Sequence, residues 1–218
     1  MNRPYLDISE LPAELPIFPL AGCLLLPRGE LPLNIFEPRY LAMIDATLAG
    51  KRLIGMIQPR PDAASDRNPA LCAVGCAGKI TRFAETGDGR YVIALEGVCR
   101  FHVVQETTRD TPFRLFDVSY QGFARDLQGP DSERVDRDAV LNALRAFAER
   151  NSISVDWESV AKASDEELVN SLSMMSPFGI KEKQALLEAD NLRARGEVLV
   201  AIAEMELAGD GAGRPSLH

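Results

Sequence analysis

Between residues 15 and 40 prolines interrupt every apolar run: Leu15-Pro-Ile-Phe-Pro-Leu20, Leu24-Leu-Leu-Pro27 and Leu31-Pro-Leu-Asn-Ile-Phe-Glu-Pro-Arg-Tyr40. Proline has a fixed φ and no backbone N–H, so it stops helices and cannot donate to a sheet ladder. The segment reads as one strand or two short ones at Ile17-Phe18 and Leu24–Leu26, and a further strand at Leu31–Ile35. Their prolines confine them to sheet edges or strand starts. Pro38 plays a different part, because the first residue of a helix has no use for its N–H. Leu41, Ile44 and Leu48 follow at helical spacing, with Gly50 as a left-handed terminator. Glu37 suits the start of that helix, where negative charge is favoured.

Leu53–Ile57 is a short apolar run and predicts a buried strand, and residues 58–69, with several prolines and turn formers, predict a long loop. A meander follows: Cys72–Phe83, the turn Gly87-Asp-Gly89, Tyr91–Leu95, a bulge or bend at Gly97 with Cys99–Val104 continuing, and alternation through Phe116, Val118 and Tyr120. The strand count and embedded glycines favour a small, strongly bent sheet or barrel. Residues 123–134 are polar, contain Gly-Pro, and read as a linker. Beyond them the period is helical. Val140, Leu144 and Phe147 form one stripe, Trp157 is a core anchor, and Ser164-Asp-Glu-Glu167 is a capping box ahead of Leu168, Leu172 and Met175. A last helix carries Val198, Ile202 and Met205. The expected class is α+β, a bent sheet or barrel with one inserted helix, followed by a bundle of about four or five helices. The boundaries fall at 14–122 for the β-rich subdomain, 135–207 for the helical one and 208–218 for a disordered tail.

A formal charge of −8 argues against phosphate-backbone binding, which draws on clustered Lys and Arg. No apolar run of about 18 residues exists to span a membrane. Leu20-Ala-Gly-Cys23 resembles a lipoprotein cleavage site, but two prolines break the apolar stretch before it, and Asp7, Glu10 and Glu14 stand where a positive region belongs. The four cysteines, Cys23, Cys72, Cys76 and Cys99, are too few for a disulfide scaffold and read as free thiols in a reducing cytoplasm. Cys72, Cys76, Cys99 and His102 have the residue types of a tetrahedral metal site, yet their spacers do not wrap an ion, and buried thiols are the expectation. Gly75-Cys-Ala-Gly78-Lys79-Ile80 approaches a phosphate-binding loop, but the glycines are too close together and Ile80 has no hydroxyl for Mg²⁺. Glu37, Asp88 and Glu96 make no convincing acid–base pair. No catalytic residue, cofactor or metal is expected.

The order of these elements, with Phe36-Glu-Pro-Arg-Tyr40, Val74-Gly75, Gly87-Asp-Gly-Arg90, Leu95-Glu-Gly-Val-Cys-Arg100 and Lys183-Gln-Ala-Leu-Leu-Glu188, resembles the N-terminal, substrate-binding domain of Lon proteases over residues 14–207. The resemblance is greatest to stand-alone bacterial proteins built only of this domain, and cereblon carries a related one. It implies a PUA-like pseudo-barrel followed by helices, and a part that handles substrate without catalysing. The Pro-x-Asp-Gly-Pro-Ser-type segment that carries Lon's catalytic serine has no counterpart here. A bent sheet with proline-rich edges and a long loop offers an apolar groove or strand edge to a polypeptide. The candidate binding residues are Leu33, Phe36, Arg39 and Tyr40, with Gln58 and Arg60 at the loop. Tyr and Arg are over-represented at binding hot spots. The expected partners are unfolded or exposed apolar polypeptide segments, with a separate protease or other protein partner if the chain is an adaptor. Neither nucleic acid nor membrane is expected. A peptidase-related enzyme, by family association, and an RNA-binding PUA-like module stand as the alternatives.

Overall fold

The computed structural model describes residues 4–63, 68–129 and 134–209. The chain divides into two compact units, Met1–Gly129 with Pro177–Leu187, and Pro130–Ser176 with Glu188–His218. The predicted tail, 208–218, lies outside the described residues apart from Ala208 and Gly209 at the end of the last helix.

The first unit is built on strands β1 (Glu14–Pro19), β2 (Glu30–Ile35), β3 (Leu53–Pro59), β4 (Leu71–Glu85), β5 (Tyr91–Thr107) and β6 (Arg114–Ser119), with helix α1 (Pro38–Leu48) inserted after β2. The order is β2-β5-β4-β3-β1-β6, and a further β5–β6 pairing closes β5, β4, β3, β1 and β6 into a ring. Among the described residues only β1 and β3 run parallel. Tyr91–Leu95 continues through Gly97 into Cys99–Val104 as one strand. Its first part pairs with β2 over Tyr91–Glu96, and its second with β6 over His102–Thr107. The change occurs at Gly97, where the β4 register skips Val98. An added Cβ on Gly97 would lie 2.0 Å from the Leu26 carbonyl oxygen, so only glycine admits this approach. The interior centres on Phe101, fully buried among Leu15, Ile17, Leu53, Phe116 and Tyr120. Its ring lies against Gly75, where a Cβ would meet Phe101 Cζ and the Met56 carbonyl oxygen at 2.6 Å.

Several expectations change. Proline was expected to keep strands at edges, and β2, with Pro32, is an edge strand. β1, with Pro16 and Pro19, is internal. It pairs with β6 over Glu14–Ile17 and with β3 over Ile17–Pro19, so Pro16 meets a neighbour on one side only. A strand that hands over from one partner to the next tolerates a residue lacking N–H. Leu24–Leu26 is buried but is not a strand, because it follows a turn at Gly22 (φ 69°) and runs into Arg28 (φ 64°). α1 does begin at Pro38, but its buried face is Tyr40, Met43, Ile44 and Thr47. The left-handed residue after it is Arg52 (φ 59°), not Gly50. The predicted linker begins with structure: a 3-10 turn, Ala124–Leu127, buries Asp126, and residues 130–133 lie outside the described residues.

The second unit contains α2 (Arg137–Arg150), α3 (Trp157–Lys162), α4 (Asp165–Met175) and α6 (Leu192–Gly209). Helix α5 (Ile180–Glu188) belongs to the β-rich unit up to Leu187. The capping box forms as expected: Ser164 Oγ accepts from Glu167 N–H, and Glu167 accepts from Ser164 N–H. Asp136 and Asp156 cap α2 and α3. Arg137 bonds Asp165 at 2.9 Å and the Val160 carbonyl at 2.8 Å, tying α2 to α3 and α4. The stripes end earlier than their period predicts, since Met175 and Met205 are 83% and 72% exposed at the last turns of α4 and α6. Trp157 is also exposed, with Arg145 5.4 Å from its ring centre. It sits at the start of a one-and-a-half-turn helix that has no buried residue to anchor.

Candidate functional site: an apolar groove on the β-rich unit

The end of β1, the turn after it, the end of β2 and the start of α1 line a groove of about 320 Å³. Leu33 and Ile35 reach one side because β2 alternates, and the chain then turns at Phe36 into α1. Phe36 is 63% exposed, whereas Tyr40 is buried at the base. Phe18 from β1 meets the Tyr40 ring at 4.3 Å between centroids, tilted by 54°. The Arg39 guanidinium stands 4.5 Å from the Tyr40 ring centre and bonds Glu37 through Nε and Nη2, each at 2.9 Å. Glu37 occupies the N-cap position as expected, but its carboxylate serves Arg39 and makes no cap bond. Burial raises the Tyr40 phenol above its ordinary value, with Arg39 opposing and Glu37 reinforcing. The hydroxyl therefore remains protonated at neutral pH, and the contacts Phe18–Tyr40–Arg39–Glu37 make one wall with its charges internally matched.

Of the candidate residues, Leu33, Phe36, Arg39 and Tyr40 line this one groove. Gln58 lies in β3, not in a loop, and is 1% exposed. Its Oε1 accepts from Gly22 N–H at 3.2 Å, and its Nε2 donates to the Ile180 carbonyl at 3.0 Å and to Gln184 at 3.3 Å. Gln184 in turn donates to the Val74 carbonyl. This carboxamide holds the groove's turn and α5 to the barrel, the arrangement a buried amide requires. Arg60 is exposed, paired with Asp62 at 2.9 Å, and is not among the residues lining the groove. Beside it Pro59 and Pro69 do line the groove, and Arg114 Nη1 holds the Pro69 carbonyl at 2.8 Å. Sequence reading included the 58–69 loop to which these two prolines belong, but not the wall formed by Phe18, Pro19 and Leu20. The signal was the Leu15-Pro-Ile-Phe-Pro-Leu20 run itself, in which Pro19 ends β1 and the chain turns at Ala21-Gly22.

Of the four cysteines, Cys76 and Cys99 belong to the core, whereas Cys23 and Cys72 are half-buried. Cys76 and Cys99 are fully buried. Burial first, and then the Asp126 carboxylate, push the Cys99 thiol up to about 12 and the Cys76 thiol well above its usual value. Both are therefore protonated and poorly nucleophilic. His102 stacks on Phe123 at 4.7 Å. Among the described residues no three His, Cys, Asp or Glu side chains converge to hold a metal, and no helix is long and apolar enough to cross a membrane. Because the folded thiols hold their protons more tightly than the ordinary value of 9.0, they favour folding fully below about pH 9, and that contribution is lost as the pH climbs toward 12. Urea titrations at pH 8 and pH 11 are expected to show a fall in stability that is shallower in Cys99→Ala; an identical fall in both proteins contradicts this.

A family model described as the ATP-dependent protease La (LON) substrate-binding domain matches residues 14–204. Lon protease of Flavobacterium johnsoniae is 26% identical over 209 residues, covering 91% of this chain and 25% of that protein. Lon protease 2 of Myxococcus xanthus is 28% identical over 205 residues, covering 89% and 24%. The chain thus spans about a quarter of the length of these curated relatives. The crystal structure of a Lon N-terminal domain protein from Xanthomonas campestris matches with a TM-score of 0.60 at 26% identity, covering 86% of this chain and 97% of that one. The N-terminal domain of Mycobacterium avium complex Lon protease shares the fold, with a TM-score of 0.61 at 18% identity, covering 88% and 98%. With a match across nearly its whole length and the same α+β architecture as those solved domains, the chain belongs to the Lon substrate-binding domain family.

Proposed function

We propose that this protein is a non-catalytic module that holds exposed apolar segments of other polypeptides in the groove between β1, β2 and α1. The observation that carries the reading is the half-open aromatic groove, with Phe36 63% exposed at its rim, on a chain of a substrate-binding family. A large apolar side chain left in water beside a preformed apolar cleft fits a partner that brings its own apolar surface. Leu33, Phe36 and Tyr40 supply the apolar contact. Arg39 holds the wall, Gln58 positions the turn from beneath, and Arg60 lies at the outer margin. The matched charges of Glu37 and Arg39 suit a site that selects for apolar content over charge. In this reading the chain is an adaptor in protein quality control, presenting polypeptides to a separate protease or another protein partner in the cytoplasm.

The test is a titration with a reduced, carboxymethylated model protein and with its native form. The unfolded chain is expected to bind and the folded one not, and equal, negligible binding to both counts decisively against the reading. Phe36→Ala is expected to weaken binding about tenfold, the scale of an aromatic hot spot. Because Phe36 is exposed, the same change should shift stability by no more than about 0.5 kcal/mol.

A further inference from the structure

The net charge of −8 is not spread over the chain. Met1–Gly129 with Pro177–Leu187 holds 16 Lys and Arg against 16 Asp and Glu, whereas Pro130–Ser176 with Glu188–His218 holds 8 against 16. The whole imbalance belongs to the helical unit. An excess of one sign confined to one unit steers oppositely charged partners to it and repels like-charged ones.

The same unit carries a second groove, of about 530 Å³, between the start of α2 and the middle of α6. Val135, Ala139, Val140, Val200 and Ala201 line it with small and branched apolar side chains, which let a partner's backbone come close. Asp136, Glu197 and Glu204 stand at its rim against Arg134 and Arg193. Arg193 is already engaged by Glu197 at 3.0 Å. Much of the lining comes from helices α2 and α6, whose interior N–H and C=O groups pair within each helix and are not free to extend a partner's ladder. A partner seated there must satisfy its own backbone, and a helix does so. Phosphate backbones are repelled by this unit's charge.

We propose that this groove docks an amphipathic helix of another polypeptide, apolar on the face it buries and rich in Lys and Arg on the faces beside it. This is a helix-in-groove site separate from the groove on the β-rich unit. The probe is a synthetic peptide of about 18 residues, Leu and Lys in helical period, with an isomer carrying Glu for every Lys. Fluorescence anisotropy with the full chain is expected to show binding of the Lys peptide and not of the Glu peptide, and binding should weaken about tenfold in about 0.5 M NaCl. Ala201 is exposed on α6, so Ala201→Trp fills the groove without altering charge and should weaken binding about tenfold. Glu204→Lys should weaken it by a similar factor, whereas Glu158→Lys, an equal charge change in the same unit outside the groove, should alter it less than about twofold. Absence of Lys-peptide binding, equal binding of the two peptides, unchanged affinity in Ala201→Trp, or equal losses in Glu204→Lys and Glu158→Lys would each overturn the proposal.

Discussion

Arg100→Ala is expected to lower the unfolding free energy by about 3–5 kcal/mol, the cost of leaving one member of a buried ion pair uncompensated. Arg100 and Asp126 are 4% and 8% exposed. The guanidinium grips the carboxylate at two points, Nε to Oδ2 at 3.0 Å and Nη2 to Oδ1 at 2.9 Å. Arg100 N–H adds a third bond to Oδ2 at 2.9 Å, and Nη1 donates to the Leu187 carbonyl at 3.1 Å. Phe123 covers the guanidinium 4.7 Å from its ring centre. One side chain thus joins β5, the turn after β6 and the end of α5. Removing it takes the guanidinium from a buried carboxylate and leaves it only the backbone N–H of residue 100 among these bonds. The double replacement Arg100→Met with Asp126→Leu is expected to recover much of the loss, because a well-packed apolar pair avoids the desolvation that the ions incur. Urea denaturation monitored by circular dichroism measures both. A loss under about 1 kcal/mol in Arg100→Ala, or a double variant no more stable than the single one, contradicts the account.

Gly97→Ala is the second large effect, with an expected loss of about 3 kcal/mol. The Cβ would sit 2.0 Å from the Leu26 carbonyl oxygen, 2.7 Å from its carbon and 3.2 Å from Pro27 Cα. These are backbone atoms held in place. Gly97 N–H donates to the Gly29 carbonyl at 2.9 Å, and the Gly97 carbonyl accepts from Arg28 N–H at 2.7 Å. The methyl can be admitted only by moving the Leu24–Gly29 segment away from β5, which uncovers three leucines that are at most 2% exposed. Gly50→Ala is the contrast. Its nearest neighbours would be carbonyl oxygens of its own helix at 3.8 and 3.9 Å, and a change within about 0.5 kcal/mol is expected. Comparing the urea midpoints of the two variants decides the matter, and a Gly97→Ala protein as stable as the parent would show that the segment yields.

These two sites lie three residues apart on the strand that the β-rich unit is organised around. β5 is paired by β2 before Gly97 and by β6 beyond Arg100, and the edge strand β2 leads directly into Phe36 and Tyr40 of the groove. The groove is therefore held by distant parts of the sequence. A destabilised β5 is expected to impair polypeptide binding through loss of fold, which is why Phe36→Ala, on the rim and exposed, is the cleaner probe of function.

Local features were legible from the residues alone. Pro38 opens α1, Ser164 and Glu167 close a capping box, and Gly87 and Gly89 (φ 78° and 82°) turn the β4–β5 hairpin. Each depends on the conformational range of one residue or on a bond to a neighbour within three positions, and such preferences act before any tertiary contact exists. The order of these signals along the chain was also enough to place the sequence in its family, and Leu33, Phe36, Arg39 and Tyr40 could be grouped because they are neighbours on a strand and the helix that follows. What only the tertiary structure decided was partnership across the chain. Pro16 sits in an internal strand because two different strands share the work of pairing β1; Gln58 is buried because Gln184, 126 positions away, supplies its bond. Asp126, in a segment that looks like linker, is interior because Arg100 meets it there. A polar residue reads as surface until its partner is known, and that partner is selected by folding, since neither period nor propensity records which distant group will arrive to satisfy it.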